Sequence, residues 1–145
     1  MIGKILIVDD ASSNRIVFKV KLTAAGYQTL TTADGEVALR LALVERPDII
    51  VLNLSLGMDT LKTLKAHPQT RRIPVIVVAT QAQAALRLQA LRLGAEDLLT
   101  RPIEDYTLQA RLRAVMRMRQ AVAGLGGAAN HGLGLLGLAE PAQTF

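Results

Sequence analysis

Pro47-Asp48-Ile49-Ile50-Val51-Leu52-Asn53 is the stretch from which the rest of the chain is read. Four consecutive apolar residues, three of them β-branched, leave no face for solvent. A run of that kind suits a parallel strand covered by helices on both sides. Ile5-Leu6-Ile7-Val8 and Val75 to Ala79 repeat the pattern. Tyr27 to Thr32 is mixed and Thr-rich, as an edge strand would be, and a shorter strand covers about Glu96 to Thr100.

Helical patterns fill the gaps. Ser12 or Ser13 can cap a helix through Ile16, Val20 and Lys21 that stops at Gly26. Asp34 opens a second, with Val37, Leu41 and Val44 on one side and Pro47 beyond its end. A short helix occupies about Asp59 to Ala66, and another runs from about Ala82 to Leu93, ending at Gly94. The last begins near Glu104, with Leu108, Leu112 and Val115 at spacings of four and three. Strand and helix therefore alternate five times. Right-handed crossovers turn such a chain into an α/β, doubly wound parallel sheet. Sites in these sheets form beyond the carboxyl ends of the strands, which directs attention to Asp9, Asp10, Asn53, Thr80 and Arg101.

The chain has 145 residues, half of them hydrophobic, enough for one domain with a sizeable core. Aromatics are only 3%, so the core is built from Leu, Ile, Val and Ala. Absence of Cys excludes disulfides, thiolate metal sites and Cys nucleophiles, and it fits a cytoplasmic setting. The apolar run at the N-terminus is one strand long and ends on Asp9-Asp10, so it is not a signal peptide. The pattern fails after about Gln120. Residues 121–145 form a tail rich in Gly, Ala and Leu, read as a linker or helix extension, and not as a membrane span. Its Leu133, Leu135, Leu136 and Leu138 could pack on a neighbour.

A net charge of +5 invites a nucleic-acid reading. Arg111, Arg113, Arg117 and Arg119 do not fall on one stripe at 100° per residue, and no aromatics lie between them. A solvated or partner-facing helix surface is the better reading. His67 and His131, far apart and without Cys, make a poor zinc site. His67 instead reads as a surface cap. Ser12 and Ser13 have no neighbouring His in sequence to activate them, and no Walker or dinucleotide fingerprint is present. Met116 is expected in the core more than Met118.

Taken together, these segments resemble the receiver domains of bacterial response regulators, the acceptor modules of two-component phosphorelay signalling. Ile5 to Asp10 is similar to the first strand and acidic pair. Ala33-Asp34-Gly35-Glu36-Val37-Ala38-Leu39 resembles the entry to the second helix. Pro47 to Leu52 leads into the acceptor position, Ile73 to Thr80 resembles the fourth strand with its switch Thr, and Gly94 to Pro102 resembles the fifth strand and its Lys-Pro corner. The likeness covers about residues 3–119 in order and spacing. It implies a flavodoxin-like fold of five βα units with sheet order 2-1-3-4-5, over residues 1–120.

The resemblance also implies a site chemistry. An acceptor Asp needs a divalent cation to offset the charge of the incoming phosphoryl oxygens, and fixed donors to hold them. In the family the acidic pair and the acceptor share a Mg²⁺, an oxygen-loving ion. Asp9, Asp10 and Thr80 are retained. Asn53 stands at the acceptor position, isosteric with Asp but neutral and a poor nucleophile. At about 4 Å and an effective dielectric of 20, one lost unit charge is worth roughly 4 kcal/mol. Even heavily discounted, that weakens Mg²⁺ at Asp9 and Asp10 by an order of magnitude or more. Arg101, before Pro102, replaces the Lys, and its planar fork favours a bridge to Asp9 or Asp10 in the metal position. Gln81 stands where the family prefers a small residue and Leu98 where it carries an aromatic switch. The loop Leu54 to Thr60 reaches its helix about one turn early.

The resulting expectation is a pseudo-receiver: a non-enzymatic docking module without a catalytic residue. Its partner-binding face would be the fourth and fifth helices, about Ala82 to Leu93 and Glu104 to Arg119, with the fifth strand between them. That face would meet a protein partner, an attached output domain or a second copy, with no direct nucleic-acid or membrane contact. The strand wording most resembles receivers at the front of PleD-type diguanylate cyclases, whose cyclase activity would lie outside these residues. Two alternatives are an active receiver phosphorylated at another acid such as Asp59, and the N-terminal part of a DNA-binding regulator.

Overall fold

The computed structural model describes residues 2–128. Its strands are β1 (Lys4–Val8), β2 (Gln28–Thr32), β3 (Ile49–Asn53), β4 (Val75–Ala79) and β5 (Asp97–Thr100). They form one sheet in the order β2-β1-β3-β4-β5, every pair parallel. The helices are α1 (Ser12–Ala24), α2 (Gly35–Glu45), α3 (Met58–Ala66), α4 (Arg87–Arg92) and α5 (Asp105–Ala128). This is the flavodoxin-like α/β fold, with β2 at an edge as its polar pattern requires.

Alternation along the strands divides the core into two layers. Leu6, Val8, Ile50, Leu52, Val75 and Val77 face α2, α3 and α4, whereas Ile5, Ile7, Ile49, Val51, Ile76 and Val78 face α1 and α5. Leu108, Leu112, Val115 and Met116 of α5 are buried there, and Met118 is exposed. The inward faces of α1 and α2 are formed by residues other than those that mark the two helices in the sequence. Phe18 and Leu22, not Ile16 and Val20, bury α1. Ala38 and Ala42 bury α2 against the sheet, while Val44 is 76% exposed. Small residues let that helix lie close, and the larger apolar side chains sit at its margins.

Local starts and stops also depart from expectation in places. Neither Ser12 nor Ser13 caps α1. The helix begins after Ala11, whose N–H donates to the Asp9 carboxylate at 2.9 Å. Asp34 does cap α2, accepting from Glu36 and Val37. The stretch read as one helix from Ala82 to Leu93 is a 3-10 segment, Gln81–Leu86, followed by the short α4. None of residues 81–86 is buried, so no packed face holds the segment to α-helical pitch. The helix α5 continues past Gln120 to Ala128, whereas the predicted pattern ends at Gln120. The leucines at 133–138 and His131 lie outside the described residues.

One turn shows how a carbonyl orphaned by proline is satisfied. At the end of α3 the carbonyl of Leu64 would accept from residue 68, but that residue is Pro68 and has no N–H. The buried Thr70 hydroxyl donates to it instead, at 2.6 Å. Lys65 closes the same turn by donating to the carbonyls of Arg71 and Ile73, and burial lowers its ammonium pKa below the usual lysine range. Thr70→Val keeps the shape and removes the donor. We expect a loss of about 1–3 kcal/mol in urea unfolding; an unchanged midpoint would show that the carbonyl needs no partner.

Candidate functional site

Asp9, Asp10, Asn53, Thr80 and Arg101 all lie at the carboxyl ends of their strands, β1, β3, β4 and β5. The order reverses between β1 and β3, and crevices of such sheets open there. Asp9 is buried, its carboxylate only 2% exposed. One oxygen accepts from the Ala11 N–H at 2.9 Å and from Asn14 Nδ2 at 3.3 Å. The other is paired with Arg101 Nη2 at 3.0 Å. Both carboxylate oxygens are thus taken by the chain's own donors.

Arg101 reaches across from the end of β5 and is held from below. Its guanidinium carbon lies 5.6 Å from the centroid of the Phe18 ring on α1, within cation–π range. The Arg101–Pro102 peptide is cis. Gln81 fastens the same strand end from the other side, its Nε2 donating to the Arg101 carbonyl at 3.2 Å and to Thr100 Oγ1 at 3.4 Å. Arg15 of α1 donates to the Asp9 carbonyl at 2.7 Å. Two elements outside the acidic pair, α1 and the segment after β4, therefore fix the Arg101–Asp9 pair.

Asp10 is exposed and accepts from the Ser55 hydroxyl at 2.7 Å. Asn53 is buried, and its Oδ1 accepts from the Ser55 N–H at 3.1 Å. Thr80 is exposed. Its N–H donates to Gln83 Oε1 at 2.9 Å, which anchors the 3-10 segment. Leu98 is buried in the layer with Val77, Ala79 and Ala90. Asp59 lies exposed in the first turn of α3, with no hydrogen bond to these residues among those described. No cluster of three or more His, Cys, Asp or Glu suited to a metal occurs among the described residues.

Sequence reasoning missed three contributors. Ser55 sits only two residues beyond Asn53, and a hydroxyl so near an acidic pair was a usable signal. Phe18 was overlooked, since the sequence reading of α1 named only Ile16, Val20 and Lys21 within the helix. Asp97 is the third. It is buried and holds two arginines, Arg87 of α4 at 2.7 Å and Arg111 of α5. Arg87 also donates to the Leu98 carbonyl at 2.8 Å. With Arg119 paired to Asp48 at 3.4 Å, two of the four α5 arginines serve contacts within the chain.

Comparison with known proteins agrees with this architecture. The model of the response regulator receiver domain matches residues 5–113, and the chain belongs to that family. It is 40% identical over 126 residues to the response regulator PleD of Caulobacter vibrioides, which covers 84% of this chain and 28% of PleD. It is 33% identical to the alkaline phosphatase synthesis transcriptional regulatory protein PhoP of Bacillus subtilis, covering 83% of this chain and 51% of PhoP. Among solved structures, the receiver domain of the sensor histidine kinase PA1611 of Pseudomonas aeruginosa, with magnesium coordinated in its active-site cleft, superposes with a TM-score of 0.71. Its identity is 29%, over 79% of this chain and 97% of that one. CheY4 of Vibrio cholerae gives a TM-score of 0.72 at 29% identity, over 78% and 98%. The chain thus spans about a quarter to a half of the two curated relatives named.

Removing Arg101 would leave the buried Asp9 carboxylate without its ion-pair partner, which typically costs about 3–5 kcal/mol. Arg101 is partly exposed, so Arg101→Ala should lose about 2–3 kcal/mol after allowance for screening. Chemical denaturation checks this. A loss below about 0.5 kcal/mol would show that the pair does not hold the strand ends together.

Proposed function

We propose that this receiver works as a pseudo-receiver, a non-enzymatic docking module of two-component signalling that is not switched by an acyl phosphate. The observation that carries the reading is the Arg101–Asp9 pair at 3.0 Å beside a neutral Asn53. The amide at 53 offers no carboxylate for phosphoryl transfer. Asp9 has both oxygens engaged, and Asp10 is bonded to Ser55. As arranged, this donor set does not fit a divalent cation. Mg²⁺ would have to displace a guanidinium held by Phe18 and Asp9 together, so its binding is weak.

The face built from α4, β5 and α5 is the proposed docking surface, for an attached output domain, another protein or a second copy. Asp97 supports that assignment by tying Arg87 and Arg111 to the same strand, which keeps the two helices in one relative position. Position 98, a leucine, carries no aromatic ring to couple this face to Thr80. The output would reside in other domains, by analogy with PleD or with transcriptional regulators such as PhoP. Residues 1–120 act as the receiver-like unit, and the segment beyond leads toward such a domain. No helix among the described residues is long and apolar enough to cross a membrane, and we place the module in the cytoplasm.

Incubation with acetyl phosphate and Mg²⁺, followed by intact mass measurement, tests the reading. The unmodified mass is expected for the native chain. Asn53→Asp alone should be phosphorylated poorly, because Arg101 still occupies the acid site, and Asn53→Asp with Arg101→Lys should gain phosphoryl more readily. A phosphoryl group on the native chain, at Asp59 for example, would refute the proposal. Normal phosphorylation of Asn53→Asp alone would reduce the degeneration to a single lesion.

A further inference from the structure

A cavity of about 250 Å³ opens between α1 and the start of α5, beside the acid site. Val17 and Phe18 of α1, with Ile103 and Leu108, give it apolar walls. Phe18 and Leu108 belong to the core, so these walls are fixed by the fold. Two charged residues line the cavity, Lys21 and Arg101, and both are positive, while no acid does. The acids that pair with them stand outside the lining: Asp9 is buried just past β1, and Asp105 is 69% exposed at the start of α5. A guanidinium has five N–H donors and an ammonium three. Among the described residues, Arg101 gives Asp9 a single contact, from Nη2, and Lys21 gives Asp105 one. Both therefore keep donors for a further anion.

Size and charge together define the occupant. An apolar cavity of about 150 Å³ takes benzene, so this one has room for about ten non-hydrogen atoms. A neutral hydrocarbon would leave the two cations unused, and a multiply charged ion would be desolvated against apolar walls. We propose that the cavity binds a small monocarboxylate with an apolar, ring-sized body. Its carboxylate lies on Arg101 and Lys21, and its body against Phe18, Ile103 and Leu108. Arg101 suits the head group because its planar fork takes carboxylates in a bidentate way. The same guanidinium holds Asp9, so occupancy of the cavity is coupled to the acid site through one shared residue. The site does not depend on whether Asn53 abolishes phosphoryl transfer.

Phenylacetate is of the right size and serves as the probe, with phenylacetamide as its neutral counterpart. Titrated into the full native chain and followed by amide NMR, phenylacetate should shift Val17, Phe18, Ile103 and Leu108 with a single Kd of about 1 mM or below. The Arg101 guanidinium signal should move with the same midpoint. Phenylacetamide should bind at least about tenfold more weakly, because the charge-assisted hydrogen bonds are lost. Lys21→Gln, at a partly exposed position, should weaken phenylacetate about threefold to tenfold and leave phenylacetamide unchanged. Val17→Asp, at a position 49% exposed, sets a negative charge on the wall and should weaken phenylacetate about tenfold. Equal affinity for acid and amide would overturn the inference. So would a lack of saturation up to about 20 mM, shifts centred on another part of the fold, or a phenylacetate Kd that neither substitution changes.

Discussion

The ion pair between Arg101 and Asp9 is the constraint on which the site depends. It joins the end of β5 to the end of β1 across the crevice where the sheet order reverses. A buried carboxylate without a partner is costly, so beside the neutral Asn53 an arginine in reach is the natural counter-charge. Phe18 under the guanidinium then limits the freedom of the long side chain, while Gln81 holds the Arg101 backbone. The result is a site whose buried carboxylate is taken by the chain's own donors.

A second charge cluster does for the helices what the first does for the strand ends. Asp97 is buried at the start of β5 and takes arginines from both α4 and α5. Separately, neither contact would mean much, since half-exposed arginines contribute little alone. Together on one buried carboxylate they tie the lightly packed α4 to the well-buried α5. The short α4 needs this, because its N-terminal extension is a 3-10 segment with no buried residue.

Much of the fold was legible because the strands are so uniformly apolar. Ile49 to Leu52 and Val75 to Ala79 admit one reading, and the sheet order follows from the family likeness. Helix phase was less legible. In α2 the buried side chains are alanines, whose weak hydrophobic signal is outweighed by Val37, Leu41 and Val44. The same difficulty hid Phe18 behind Ile16 and Val20. The bridge from Arg101 to the acidic pair was anticipated through the family resemblance, which sets Arg101 at the Lys position, and the structure pairs it with Asp9. Contacts such as Ser55 with Asp10, or Asp97 with Arg87 and Arg111, join residues whose proximity no local pattern encodes.

In the function proposed above, Arg101 keeps Mg²⁺ from Asp9. Titrating Mg²⁺ into the native chain while following the carboxylate carbons of Asp9 and Asp10 by NMR tests it most directly. No saturable shift is expected at Asp9 up to about 10 mM Mg²⁺, and the Arg101 guanidinium signal should stay in place. Saturation below about 1 mM, with Arg101 released from Asp9, would contradict it.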